Sequence, residues 1–296
     1  MFDYRYHALS LAAVLLALAV GVVIGVAIGD SNLVSSAKSG IVHDLSSEVS
    51  AAQRETSVVR TRLAAQETFA NELYPIAVRG LLRGRDIGLV FLGDASDRTN
   101  GLVRGAATQA GGSLAMVVAV REPLDLVGIA REAAGTRYAA IADGEAKVDL
   151  QLLKRFGAIV GRELVSGGQG IAHGLLSRAR GRLLSAFDGQ PVRLAGLVVA
   201  RAEPVGIGTE AAQAASALES GLLRGVGAAG VPAVGVELRG SEPSQVPWYQ
   251  AHDIASVDDL DSTAGQAALI YALAGAHGSY GVKATADSLL PNVIGP

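Results

Sequence analysis

Residues 8–28 are apolar without a single charge, and along that run a small residue recurs at every fourth position. The run is ~21 residues, long enough as a helix rising 1.5 Å per residue to cross a bilayer core of about 30 Å. Ala13, Ala17, Gly21, Gly25 and Gly29 share one helix face, and the last three form a doubled GxxxG. Small residues at that spacing let two helix backbones approach closely. The expectation is a membrane anchor that self-associates. A cleaved signal peptide is the rival reading, with Ala27-x-Gly29 as its cleavage pattern. A signal h-region is typically ~7–15 residues, shorter than this run, so the anchor is preferred. Arg5 precedes the run and Asp30 is the first charge after it. The positive-inside bias then places the amino terminus in the cytoplasm and the rest of the chain outside.

Beyond the anchor the pattern changes to steps of three and four. Val42, Leu45, Val49, Ala52, Thr56, Val59, Leu63, Gln66, Ala70 and Leu73 follow it, eight of the ten being apolar, with Glu, Arg, Asp and Ser between them. This heptad seam predicts a coiled-coil stalk, weakened by Thr56, Gln66 and the alanines. The rival is a long helix packed back on the following domain. Anchor and seam both favour parallel self-association. Pro75 and the glycines Gly80, Gly84 and Gly88 are expected to end the helix. The short basic collar of Arg79, Arg83 and Arg85 reads as solvated.

From residue 87 onward continuous apolar runs alternate with helical stretches. Strands are expected at 87–92 and 114–120 with a helix at 99–110 between them. The same order returns as a strand at 194–200, a helix at 209–227 and a strand at 233–238. Short third strands follow each unit, at 138–142 and 254–257. Apolar strands that do not alternate, joined by helices, imply a parallel sheet covered on both faces. The fold class expected is therefore α/β: an apolar anchor (1–30), a stalk (31–78) and a duplicated Rossmann-like head (79–296). The related halves of the head fall at about 86–145 and 192–280. Helices are also expected at 150–165, 173–187 and 263–276, the last opened by a Thr263/Gln266 capping box.

Composition narrows the chemistry. The net charge of −3 offers no basic surface for nucleic acid. The chain has no cysteine, which removes disulfides, thiolate nucleophiles and cysteine metal sites. Two methionines, Met116 among them, supply no soft copper(I) site within one chain. His7, His43, His173, His252 and His277 show neither i, i+4 nor HxH spacing, and His252-Asp253 has no nucleophile motif beside it. Gly206-Ile207-Gly208-Thr209-Glu210-Ala211 resembles a dinucleotide fingerprint. It stands too far behind the preceding strand, and Glu203 and Glu210 repel phosphate. Asp258, Asp259 and Asp261 could hold a hard cation, yet acids at a helix start complement its dipole and no EF-hand glycine or glutamate follows. No residues are assigned to catalysis or to a bound cofactor.

The opening Tyr6-His7-Ala8-Leu9-Ser10-Leu11-Ala12-Ala13-Val14, continued by residues 17–22, resembles the actinobacterial MctB-like copper-transport family. So do Ser256-Val257-Asp258-Asp259-Leu260-Asp261, residues 269–273, and Tyr280-Gly281-Val282-Lys283. The resemblance implies copper efflux and homeostasis, with copper as transported ion, and allows an outer-membrane location. It brings no copper ligands to particular positions. A porin-like barrel needs about eight or more alternating strands with aromatic girdles, whereas this chain has few aromatics and unbroken apolar runs. Transport would therefore require a homo-oligomer in the lipid bilayer. The alternative is a non-enzymatic, membrane-anchored scaffold that recruits or regulates a cell-wall remodelling partner in the envelope.

Overall fold

A computed structural model describes residues 4–29, 31–143, 146–168, 172–204 and 206–292. Asp30 and the side chain of Val42 lie outside the described set. Two compact units divide the chain, residues 1–67 and 68–296.

The first unit is helical. Helix α1 (Tyr4–Ile28) carries the apolar run. Within it Arg5–Ala27 is long and apolar enough to cross a membrane and is unburied throughout. At 1.5 Å per residue that window spans roughly 35 Å. Helix α2 (Ser31–Ala77) follows. Pro75 does not end it, contrary to expectation: the helix runs through the proline to Ala77, and the Val78 amide still bonds to the Tyr74 carbonyl at 3.1 Å. A proline this close to the end removes one backbone bond only. The chain turns instead at Gly80 and Gly84, whose φ angles of 74° and 67° favour glycine.

The last turns of α2 belong to the second unit and dock there. The Thr263 hydroxyl bonds to Asn71, Tyr271 Oη donates to the Ala77 carbonyl at 2.9 Å, and Val78 and Leu82 are fully buried. The order then is β1 (Asp86–Leu92), α3 (Asp97–Gln109), β2 (Ser113–Val120), α4 (Leu126–Glu132), β3 (Ala142–Asp143), β4 (Ala146–Val148), α5 (Leu150–Ser166), α6 (His173–Leu183), β5 (Leu184–Gly189), β6 (Gly196–Arg201), α7 (Thr209–Ala228), β7 (Ala233–Val236), α8 (Val246–Ala251), β8 (Ala255–Val257), α9 (Thr263–Leu273) and β9 (Ser279–Tyr280). Seven strands form one sheet in the order β5-β2-β1-β6-β7-β8-β9. Every pairing is parallel except that of the edge strand β5 with β2.

Burial on both faces accounts for the unbroken apolar strands. Val90 and Leu92 of β1 pack with α5, α6 and α7 on one face. Ile87, Leu89 and Phe91 pack with α3 and α9 on the other. The two β–α–β units, β1-α3-β2 and β6-α7-β7, meet where β1 pairs with β6. Beyond them the two halves differ. Residues 137–141 form a 3-10 turn instead of a third strand, with Tyr138 packed on Phe156 at 5.5 Å and capped by the Thr136 hydroxyl. Residues 184–187, expected as the end of a helix, belong to β5, which satisfies the outer edge of β2. The cap of α9 is Ser262, whose Oγ accepts from the Gly265 amide at 2.8 Å, so Thr263 is the first helical residue and not the cap.

Helices α5 and α7 pack backbone to backbone. A Cβ on Gly157 would sit 2.3 Å from the Leu218 carbonyl oxygen, and one on Gly161 2.0 Å from that of Leu222. Reciprocally, a Cβ on Gly221 or Gly225 would sit 2.1 Å from the carbonyl oxygens of Lys154 or Ala158. Both helices thus carry a GxxxG whose glycines let backbone touch backbone. Replacing Gly161 with valine forces the helices apart and is expected to cost about 3 kcal/mol or more, beyond ordinary overpacking. Gly181→Ala in α6 has open space around it and is expected to be neutral or to stabilise by about 0.5–1 kcal/mol. Urea unfolding of the two variants checks the contrast; equal effects would contradict the backbone contact.

Candidate functional site

Most of the candidate assembly residues lie in the first unit. In α1, a Cβ added at Gly21 or Gly25 would meet nothing within 4 Å, and Ala13 and Ala17 are exposed as well. Gly29 closes the helix, its amide bonding to the Gly25 carbonyl at 2.8 Å. On α2, Leu45, Val49, Ala52, Val59 and Leu63 are exposed, and so is Leu73 in the docked end of the helix. Val58, Phe69 and Ile76, which the heptad reading leaves off the seam, are exposed too. The apolar strip on α2 is therefore broader than a two-position seam.

In the second unit the charged groups gather at the carboxyl ends of the parallel strands, where open α/β sheets ordinarily bind ligands. Arg201 ends β6. Its Nε donates to Glu219 Oε2 at 3.0 Å, its Nη1 donates to Gln245, and its guanidinium lies over the Trp248 ring at 4.7 Å. Tyr249 is buried beneath it: Oη accepts from the Arg201 amide at 3.0 Å and reaches the carbonyls of Val199 and Val236. Its ring lies flat against Gly235, where a Cβ would be 2.4 Å from the ring. Glu237, just past β7, is held by Lys283 Nζ at 2.6 Å and by the Ser244 hydroxyl at 2.8 Å.

The two late sequence signatures meet here. Asp258 Oδ1 and Oδ2 accept from the amides of Val282 and Lys283 at 2.8 and 3.0 Å. Gly281 at φ 138° lies against the same carboxylate, so a side chain there is excluded on two grounds. Asp259 accepts from the Ser262 hydroxyl at 2.6 Å, and Asp261 accepts from the Arg239 amide at 2.9 Å and pairs with Arg98 at 3.2 Å. These carboxylates fasten loops to one another. Among the described residues no group of three or more His, Asp or Glu side chains could hold a metal ion.

His173 Nδ1 stands 3.5 Å from Glu163. His252 bonds through Nδ1 to the Trp248 carbonyl and through Nε2 to Ser220 Oγ, both at 2.8 Å, and not to Asp253. Ser220 is a partner that spacing could not reveal, since it lies 32 residues away. In the Gly206 loop, Gly206 has φ 77° and Gly208 caps α7 without a side-chain bond. Arg201, which ends the strand before this loop, is already committed to Glu219 and Gln245.

Burial governs the protonation of two acids on this edge. Burial pushes the Glu219 carboxyl up despite the pull of Arg201. Burial pushes Glu122 up too, and the charges of Glu219 and Asp94 add to the rise. Glu122 Oε1 has no hydrogen-bond partner among the described residues.

The model of the family described as "Copper transport outer membrane protein, MctB" matches residues 1–291. The chain belongs to the MctB family. Proteins named copper transporter MctB from Mycobacterium bovis and from two strains of Mycobacterium tuberculosis are each 32% identical to it over 122 residues. That stretch is 41% of this chain and 38% of each relative, so the chain spans well under half the length of these MctB proteins.

A carboxyl pKa raised by folding means that the folded protein keeps a proton the unfolded chain has released. Stability then falls as pH climbs from the usual carboxylate range through the raised value. Glu122→Gln removes that loss. Its thermal midpoint is expected to match the wild type near pH 4 and to exceed it by a few degrees at pH 8. A midpoint equal to or below the wild type at pH 8 contradicts the cost assigned to the ionised side chain.

Proposed function

We propose that this protein serves copper efflux and homeostasis as a non-enzymatic, self-associating, single-pass protein of the cell envelope, with copper as cargo and no stably bound cofactor. The observation that carries the reading is the family match, which runs from the apolar helix through the whole head. The copper transporters to which the chain is similar point the same way. A lone helix satisfies its own backbone in lipid but encloses no pore. Any copper path is therefore built by several copies. The open glycine face of α1 suits close helix packing in the bilayer. The exposed Leu45, Val49, Val59 and Leu63 suit a parallel coiled-coil stalk over residues 31–78, carrying a head over 79–296.

In this reading Arg5 holds the amino terminus in the cytoplasm and the head works outside, at the inner or the outer membrane. The head's two β–α–β units, side by side at β1 and β6, support an internally duplicated, Rossmann-like plan. A copper ion is met by oxygen and imidazole groups on assembled surfaces, since the chain has no cysteine and its described methionine, Met116, is buried. The second reading is a scaffold that docks a wall-remodelling protein. The breadth of the exposed strip on α2, with Val58, Phe69 and Ile76 added to the seam, favours it.

Disrupting the gene in its host is expected to cause copper hypersensitivity with raised cellular copper, and the wild-type gene to restore tolerance. Gly21→Ile with Gly25→Ile is expected to abolish membrane crosslinking to a second copy and to fail to restore tolerance. Unchanged copper tolerance in the disrupted strain overturns the efflux reading, and chained or misshapen cells beside it would point to the scaffold. Unchanged crosslinking would show the glycine face to be incidental.

A further inference from the structure

At the opposite end of the sheet from the carboxyl edge, around the starts of β7 and β8, the head holds a cavity of about 490 Å³. That volume lies within the range of small-molecule sites. Its walls are aliphatic where Leu223 of α7, Val231 and Pro232 ahead of β7, and Ile254 ahead of β8 face inward. Its polar groups are mostly basic. Lys154 of α5 and Arg224 of α7 both line it, and among the described residues neither pairs with an acid. Asp253 is the one acid on the rim and is exposed, so the two cations leave an excess of positive charge even with His252 and His277 neutral.

Two further groups are held in fixed positions. His252 is clamped from behind: its Nδ1 lies 2.8 Å from the Trp248 carbonyl and its ring stacks on the indole at 4.0 Å. With Nδ1 donating to that carbonyl, neutral His252 accepts at Nε2 from the Ser220 hydroxyl, 2.8 Å away. The hydroxyl oxygen keeps acceptor capacity toward the cavity. Ser220 lies inside α7, where the neighbouring amides are engaged within the helix. The helix therefore offers no free amide as an oxyanion donor beside the pair, which reads as recognition rather than as a nucleophile and its base. The same glycine contact that joins α5 to α7 carries Lys154 to the side of Ser220 and Arg224, since its carbonyl lies 2.1 Å from the Cβ position of Gly221.

We propose that this cavity binds a small amphipathic anion, a carboxylate or phosphate group on a short aliphatic body. Lys154 and Arg224 hold the anion, the Ser220 oxygen, fixed by His252, accepts from a protonated oxygen of the guest, and Leu223 and Ile254 cover the hydrocarbon. The same chemistry is offered by a soluble metabolite and by an anionic lipid. Trp248 is the one tryptophan in the chain and reports on His252 by its fluorescence.

The test titrates the full chain, reconstituted in phosphatidylcholine nanodiscs, with hexyl phosphate, hexanoate and inorganic phosphate. Hexyl phosphate or hexanoate is expected to change Trp248 emission saturably, and inorganic phosphate to bind at least tenfold more weakly. Lys154→Gln with Arg224→Gln, the first half-buried and the second exposed, is expected to weaken binding at least tenfold while circular dichroism and the thermal midpoint stay unchanged. In phosphatidylglycerol nanodiscs a lipid occupant abolishes the hexyl phosphate titration, whereas a soluble occupant leaves it intact; either result assigns the source. The proposal is overturned by the absence of a saturable change, by a double variant that titrates like the wild type, or by inorganic phosphate binding as tightly as hexyl phosphate.

Discussion

The head depends on one contact more than on any other: the crossing of α5 and α7, where four glycines remove every side chain between two backbones. Helices ordinarily pack 8–10 Å apart because side chains separate them. Here Gly157 and Gly161 receive the carbonyls of Leu218 and Leu222, while Gly221 and Gly225 receive those of Lys154 and Ala158. Two helices drawn this close form one slab over the β1–β6 side of the sheet, with Leu153, Phe156, Leu218 and Leu222 fully buried. Position as well as stability follows. The slab brings Lys154 beside Ser220 and Arg224 on one side and delivers Glu219 to Arg201 on the other.

The carboxyl edge of the sheet is organised by charge in a way that the apolar slab permits. Arg201 is sandwiched between Glu219, Gln245 and the Trp248 face, and Lys283 closes over Glu237. Buried pairs of this kind add little net stability but are costly to break singly. Their effect is to fasten loops from distant parts of the chain: residues 280–283 to Asp258, and residue 283 to the end of β7. The late segments in which the sequence resembles the MctB family are therefore a structural clasp, and the acidic residues in them serve loops before ligands. The opposite edge, with aliphatic walls and two cations that pair with no acid among the described residues, is the better suited to a guest.

Strands were legible in the sequence because burial on both faces leaves no polar interruption: residues 87–92, 114–120 and 194–200 can hardly be anything else. The helices at 99–110, 150–165 and 209–227 followed from the same alternation. What could not be read was decided by partners distant along the chain. Residues 184–187 have a composition that suits a helix end, and only the open edge of β2 makes them a strand. Tyr138 enters a 3-10 turn because Phe156 is there to receive its ring. Pro75 fails to stop α2 because the turns around it are docked on α9. For the sites, GxxxG was read where the chain is wholly apolar, yet the same spacing stood at 157/161 and 221/225 inside polar-faced helices. The Ser220–His252 bond and the Arg201–Glu219–Gln245 cluster join residues 18 to 44 positions apart, beyond any local pattern. The small residues of α1 and the seam of α2 were legible as patterns, and Leu45, Val49, Ala52, Val59, Leu63 and Leu73 of that seam are exposed.

Native-state hydrogen exchange across a denaturant series tests the central claim most directly. If the glycine crossing underlies the head, amides of α5 and α7 open only with global unfolding, with the same free energy and denaturant dependence as those of β1 and β6. Exchange of α5 or α7 through a smaller opening, while β1 and β6 stay protected, would contradict the account.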